Sequence, residues 1–334
     1  MTASAPATDA LLNELLDWGV RYEPEYSRGL SNHLPMSLIA LQRLGASAER
    51  LQAYCSSYAA RLRLAPVPAE GRARPGAAVP TRRFGDVGAF PELRRYFLDE
   101  LAEHGVARVL SRALPVLIPG IGAAAFHGQI RTAYGIEAGH HGEIASGLGY
   151  WAARYLRLRD TLPAQGPLEA PVWLAAIASE FNDWQAGAGL IFEDMQAVAL
   201  SPRLQDRLVG LKLDGATLEQ LTRFAVEKFV ATRNFTVLHL ITSAHALGVL
   251  LPYCDEPEVA LHWYAVAFAT ALAAVHSSLH SDAGEVAVLS WSEIISRALR
   301  SDDDHDVKLV YTCSQLAALY PGPDFLRAAS ARMQ

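Results

Sequence analysis

Residues Thr236 to Leu251 are apolar on almost every helical face, a pattern that is satisfied only when other elements pack on all sides. A central helix is expected there, and the rest of the chain has to wrap it. A second apolar run, Val259 to Val275, contains His262 and is followed by His276 and His280. It is short for a membrane span, so a second buried helix is expected and no membrane partner. With 51% hydrophobic and 19% charged residues, the 334-residue chain holds enough apolar surface for a large core and does not resemble a disordered segment.

Helical periodicity also covers Asp9 to Val20, Leu34 to Leu44, Ala48 to Arg63, Pro91 to Glu103, Gly105 to Leu117, Ile121 to Tyr134 and Glu143 to Leu158. Trp173 to Phe181, Leu190 to Ala199, Leu218 to Ala231, Glu258 to His280, Ser290 to Leu299 and His305 to Leu319 follow. Alternating runs joined by Asn-Gly or Asp-Gly turns are missing, so strands have little support. The expected fold class is all-α, a compact multi-helix array of mostly antiparallel helices in one domain over residues 1–334. The Pro/Gly-rich stretch near 66–90 reads as a loop within that domain.

The net charge of −6 repels polyanions, so no nucleic acid partner is expected. Cys55, Cys254 and Cys313 show neither CxxC spacing nor even pairing, which suits a reduced, cytoplasmic protein. Met1 to Pro6 lacks a basic region followed by an apolar one, so no signal peptide is expected.

Eleven histidines form the pool of metal ligands. His104 sits at an expected helix end, and His140 and His141 in an expected solvated loop. His276 and His280 share a helical face but lack the acidic companion of an HExxH site. His33, His127 and His239 lie in apolar helical contexts, where an unsatisfied imidazole costs on the order of 1 to 3 kcal/mol. Each alone is more often a hydrogen-bonded core residue than a ligand. With His305 they provide one imidazole from each of four helices, the way bundle-core metal sites are built. Iron, copper, zinc and nickel all suit such a set. A companion carboxylate is sought among Glu137, Glu180, Glu193 and the acidic residues before His305, none of them obviously placed.

Those acidic residues open the segment Asp302 to Cys313. Three consecutive aspartates suit a helix N-terminus, and His305 and Lys308, three apart, share a face. Lys308 lies among Val307, Leu309 and Val310, where desolvation favours a neutral amine; a snorkelling surface lysine is the plainer alternative.

The motifs Asn32-His33-Leu34-Pro35, Phe126-His127-Gly128-Gln129-Ile130-Arg131-Thr132-Ala133-Tyr134, Leu238-His239-Leu240-Ile241-Thr242 and Asp304-His305-Asp306-Val307-Lys308 resemble, in that order, those of the questin oxidase-like proteins. The resemblance spans most of the chain. It implies a mononuclear non-haem iron, Fe(II), held by four histidines and a carboxylated lysine, here His33, His127, His239, His305 and Lys308. It further implies O2-dependent oxidation or ring cleavage of an aromatic polyketide or quinone-type substrate. Met36 stands where fungal members carry a second histidine, and His245, six residues after His239, lies on another face. Arg131 and Tyr134 share a helical face with His127 and are candidates to orient a phenolate or quinone oxygen. Pairing of Arg131 with Glu137 or Glu143, and packing of Tyr134 in the core, are equally good readings. Trp151, Trp173, Trp184 and Phe192 are candidates for stacking on an aromatic ring.

The expected protein is thus a helical array enclosing a buried metal site, an oxidoreductase of the mono- or dioxygenase type. No dinucleotide fingerprint follows a strand, so NADPH enters only as a candidate external reductant. The rival readings are a zinc-dependent hydrolase or lyase using the same histidines, and a helical protein that binds a small ligand without catalysis.

Overall fold

Asn234 opens the most apolar helix by accepting hydrogen bonds from the free N–H groups of Thr236 and Val237. The computed structural model describes residues 5–66, 78–185, 187, 189–275 and 284–334. In chain order its α-helices are α1 Ala5–Gly19, α2 Leu34–Arg43, α3 Ala48–Ala59, α4 Phe90–Leu117, α5 His127–Ala138, α6 His141–Ala153, α7 Ala170–Glu180 and α8 Ile191–Ala199. Then follow α9 Pro202–Arg207, α10 Thr217–Thr232, α11 Phe235–Leu250, α12 Pro257–Val275, α13 Trp291–Arg300, α14 Asp304–Leu319 and α15 Asp324–Arg332. A single hairpin, β1 Glu25–Tyr26 against β2 Leu30–Ser31, is the only sheet among the described residues. The fold is all-α, as expected.

Helix α11 is central, packing against α5, α10, α12 and α14. Helix α2 in turn lies against α5 and α14. The pairs α2–α5, α5–α11, α11–α14 and α14–α2 therefore close a ring of four helices. Buried apolar side chains on both sides of this ring form one continuous core. Phe235–Tyr253 and Pro257–Val275 are long and apolar enough to cross a membrane, yet the fold buries 72% and 89% of their most apolar windows, which is how core helices behave.

Small residues allow close contact between α5 of the ring and α6 behind it. A Cβ on Gly128 would stand 2.6 Å from Trp151 Cα, and one on Gly147 would stand 2.5 Å from the Thr132 backbone nitrogen. Helices α5 and α6 consequently touch backbone to backbone, which fixes His127 against a rigid neighbour.

Several boundaries differ from expectation. The helix expected from Ile121 begins only at His127, because Ala124, Ala125 and Phe126 adopt φ of 47°, 53° and 70°. The helix expected over 143–158 runs from His141 to Ala153. Phe90–Leu117 is one helical run, broken at Gly105 (φ 73°, ψ 168°) where two helices were expected to meet. Helices α9 and α15 and the β1–β2 hairpin were not expected, since six to nine residues, or two per strand, carry little periodicity. His140 is not a solvated loop residue. It is buried, its Nδ1 accepts from the Glu143 N–H, and its Nε2 meets Asp17 at 3.1 Å. His276, His280 and residues 67–77 of the expected loop lie outside the described residues.

Candidate metal centre

Each helix of the ring sends one histidine to its centre: His33 caps α2, His127 is the first residue of α5, and His239 and His305 lie on α11 and α14. Ring centroids are 4.7 Å apart for His33–His127, 4.8 Å for His33–His305, 4.9 Å for His127–His239 and 5.4 Å for His239–His305. His33, His127 and His239 are buried and His305 nearly so. The structure thus brings the four sequence-predicted imidazoles together.

Each ring is held by its Nδ1. His33 Nδ1 lies 2.9 Å and His305 Nδ1 2.5 Å from the same atom, Asp304 Oδ1. His127 Nδ1 lies 2.5 Å from the Ala124 carbonyl, and His239 Nδ1 lies 2.8 Å from the Phe235 carbonyl. Carboxylate and carbonyl oxygens only accept, so each Nδ1 carries the proton and each neutral ring keeps its Nε2 lone pair. This is the arrangement in which the far nitrogen orients an imidazole for a metal. His305 Nε2 is buried without a hydrogen-bond partner, and His33 Nε2 and His127 Nε2 face each other at 2.8 Å.

Two lone pairs at that separation repel unless a proton or a cation lies between them. A proton is disfavoured. Burial, then the Lys308 charge, lowers the His33 imidazole to about 3, and burial together with the charges of His33 and His239 holds His127 well below the ordinary range. The donor set therefore fits a metal cation better than it fits bare imidazoles.

The backbone before α5 is shaped to this end. Three consecutive non-glycine residues at positive φ cost on the order of 1 to 2 kcal/mol each. The turn they form directs the Ala124 carbonyl at His127 Nδ1, and Ala124 and Ala125 line the adjoining cavity.

Asp304 belongs to the acidic residues before His305 among which a companion carboxylate was sought. Burial opposes its ionisation, yet His33, His305 and Lys308 together hold the carboxyl far below the usual carboxylate range. Although His33, Asp304 and His305 could be grouped as one ligand set, the Asp304 oxygen is taken up by two Nδ1–H groups, so Asp304 orients the two imidazoles. The other candidates are occupied elsewhere: Glu137 with His245 and Tyr311, Glu180 with Arg203 and Arg207, and Glu193 at the start of α8.

Lys308 lies one turn beyond Asp304 and is 3% exposed. Burial lowers its amine to about 8, against the opposing pull of Asp304 and Asp303. About a tenth of such amines are neutral at pH 7, far more than for an ordinary lysine.

A cavity of about 350 Å³ opens onto all four imidazoles. Its other walls come from the β1–β2 hairpin, Gly189 to Phe192, the Ala124–Ala125 turn and Phe235. Phe192 reaches the cavity as expected of a stacking residue. Trp151 and Trp173 instead lie in the core, with indole N–H groups on the Gly120 and Arg207 carbonyls, and Trp184 packs on Phe181. Arg131 and Tyr134 are not brought to the cavity. Arg131 binds Glu143 through two hydrogen bonds of 2.7 and 3.1 Å, and the Tyr134 hydroxyl meets Thr312 at 3.3 Å. Both turn away because the face of α5 they share packs on α6 and α14. Tyr26, Ser31 and Phe235 line the cavity without having been singled out. A larger groove of about 740 Å³, around Arg223, Glu227 and Arg327, is lined by neither histidine nor cysteine.

No curated protein matches the chain. A family model described as questin oxidase-like matches residues 30–206 and 216–313, which include all four histidines and Lys308. The chain belongs to the questin oxidase-like family.

Proposed function

We propose that this chain is a non-haem iron oxygenase acting on an aromatic polyketide or quinone-type small molecule. The family name points to an oxidase of aromatic polyketides. The observation that carries the finer reading is the pair of Nε2 lone pairs 2.8 Å apart, within a set of imidazoles each held by its Nδ1.

In this reading His33, His127, His239 and His305 hold Fe(II), and Lys308, carboxylated on its neutral amine, adds the anionic ligand. Iron held there supplies O2 binding and electron-transfer chemistry. Asp304 and the Ala124 and Phe235 carbonyls keep the imidazoles in the required tautomer. Leu30, Leu190, Ile191 and Phe192 exclude water and present an apolar face to a fused ring system. About 350 Å³ falls at the small end of the usual range for ligand pockets. NADPH, if it serves, does so as an external reductant.

The test is O2 consumption by iron-loaded protein with a hydroxylated anthraquinone. Turnover that stops without O2 supports the reading. Equal turnover under anaerobic conditions, or with zinc replacing iron, would point to hydrolysis and overturn it.

A further inference from the structure

Among the described residues lining the cavity, the polar side chains other than the imidazoles are Tyr26 and Ser31. Ser31 is the end of a chain. Its Oγ lies 2.8 Å from the Tyr150 hydroxyl, which donates to Glu25 Oε1 at 2.9 Å. Arg154 grips the same carboxylate, with Nε 2.7 Å from Oε1 and Nη2 on Oε2. The hairpin register sets Glu25 directly opposite Ser31, so the two side chains rise from the same face. The Arg154 guanidinium also lies 5.6 Å from the centre of the Phe192 ring, another part of the cavity wall.

The proton count fixes the direction of this chain. Tyr150 has a single hydroxyl proton and gives it to Glu25. Burial, with the Glu25 charge beside it, pushes the Tyr150 phenol well above its ordinary range, so the proton stays. Ser31 must then donate to Tyr150. Its own proton is committed, and its Oγ has only lone pairs left to offer. A serine hydroxyl that would ordinarily donate or accept is thereby made an acceptor.

We infer that Ser31 is the substrate-positioning group of this site, accepting a hydrogen bond from a hydroxyl on the bound aromatic ring, so that hydroxylated rings are the preferred ligands and their O-methyl ethers are not. The inference rests on the aromatic-substrate reading above and narrows it. It also assigns the chain behind Ser31 a part in tuning the ligand. A ring hydroxyl that donates to Ser31 joins a series ending at the Glu25 carboxylate, and hydrogen bonds in series polarise one another. Each proton stays on its own oxygen: the Ser31 lone pair and the Glu25 charge behind it hold the ring hydroxyl in its protonated form, while its polarised O–H bond makes the ring richer in electrons.

The experiment is equilibrium binding of 2-hydroxyanthraquinone and 2-methoxyanthraquinone to the purified full-length chain, with the bound hydroxy probe also titrated by its visible absorption. Wild-type protein should prefer the hydroxy probe about tenfold. Ser31→Ala should weaken the hydroxy probe about tenfold and leave the methoxy probe unchanged, and Ser31→Thr should retain the preference. Tyr150→Phe keeps the Ser31 hydroxyl but cuts it off from Glu25. The Ser31 proton is then free to turn to the ring oxygen, so the bound hydroxy probe should ionise at lower pH than in wild-type protein, a change that loss of packing alone does not produce. A Ser31→Ala variant that keeps the wild-type preference, a Tyr150→Phe variant whose bound probe ionises as in wild-type protein, or variants that weaken both probes equally overturn the role of Ser31. Binding of neither probe to wild-type protein overturns the aromatic-substrate reading and this inference together.

Discussion

His33 and His127, 94 residues apart in the chain, bring their Nε2 atoms to 2.8 Å while each Nδ1 is bound to an acceptor. That contact is unfavourable between neutral rings and natural around a cation. Four helices converge on it, and a strained turn before α5 supports it.

Asp304 accepts from the Nδ1 of both His33 and His305. Asp304→Ala removes the shared acceptor and frees two rings to turn. Metal affinity, measured by competition with a coloured chelator, should fall on the order of 10- to 100-fold. Unchanged affinity would mean that the carboxylate does not orient the ligands.

Lys308 is proposed to act as an anion made from a neutral amine. Lys308→Ala should lose bound iron, whereas Lys308→Glu should recover part of it by supplying a carboxylate at the same place. The measurement is iron content after identical loading of the two variants. If Glu performs no better than Ala, the anionic role of this side chain is wrong.

Arg131 and Glu143 are both buried, and their bidentate pair gives each charge its partner. Arg131→Ala should destabilise the fold by about 3 to 5 kcal/mol by leaving the Glu143 carboxylate uncompensated. Arg131→Met with Glu143→Met should restore much of that loss in chemical denaturation. If the folded double variant nevertheless binds a hydroxyanthraquinone poorly, Arg131 has a role in the site beyond this pair.

His262 lies in the apolar face of α12 with its Nε2 unpartnered, and burial, then the Arg159 charge, lowers its pKa. As pH falls through about 6.5, the unfolded chain takes up a proton that the folded His262 resists, so stability falls with it. His262→Gln removes this contribution. Its denaturation midpoint should drop less than that of the wild type between about pH 7.5 and about pH 5.5. Parallel curves would show that His262 is not the resisting group.

Much of this centre was legible in the chain. The all-round apolar character of residues 236–251 required a central helix, and His239 within it required a partner. Other features depend on contacts that local pattern does not encode. Asp304 meets His33 across 271 positions, so nothing near either residue announces the pair. The alanines at 123–125 favour helix by propensity, and only tertiary packing explains why two of them take positive φ. Two-residue strands carry no alternation, which hid the hairpin that bears Glu25 and Ser31. His140 looked like a loop residue because its burial comes from α1, far away in sequence.

Elemental analysis of protein purified without chelators, beside a His239→Ala variant prepared in the same way, tests the central claim most directly. Wild-type protein should carry about one iron per chain and the variant far less. Metal-free wild-type protein, or a variant with undiminished iron, would contradict the proposed centre.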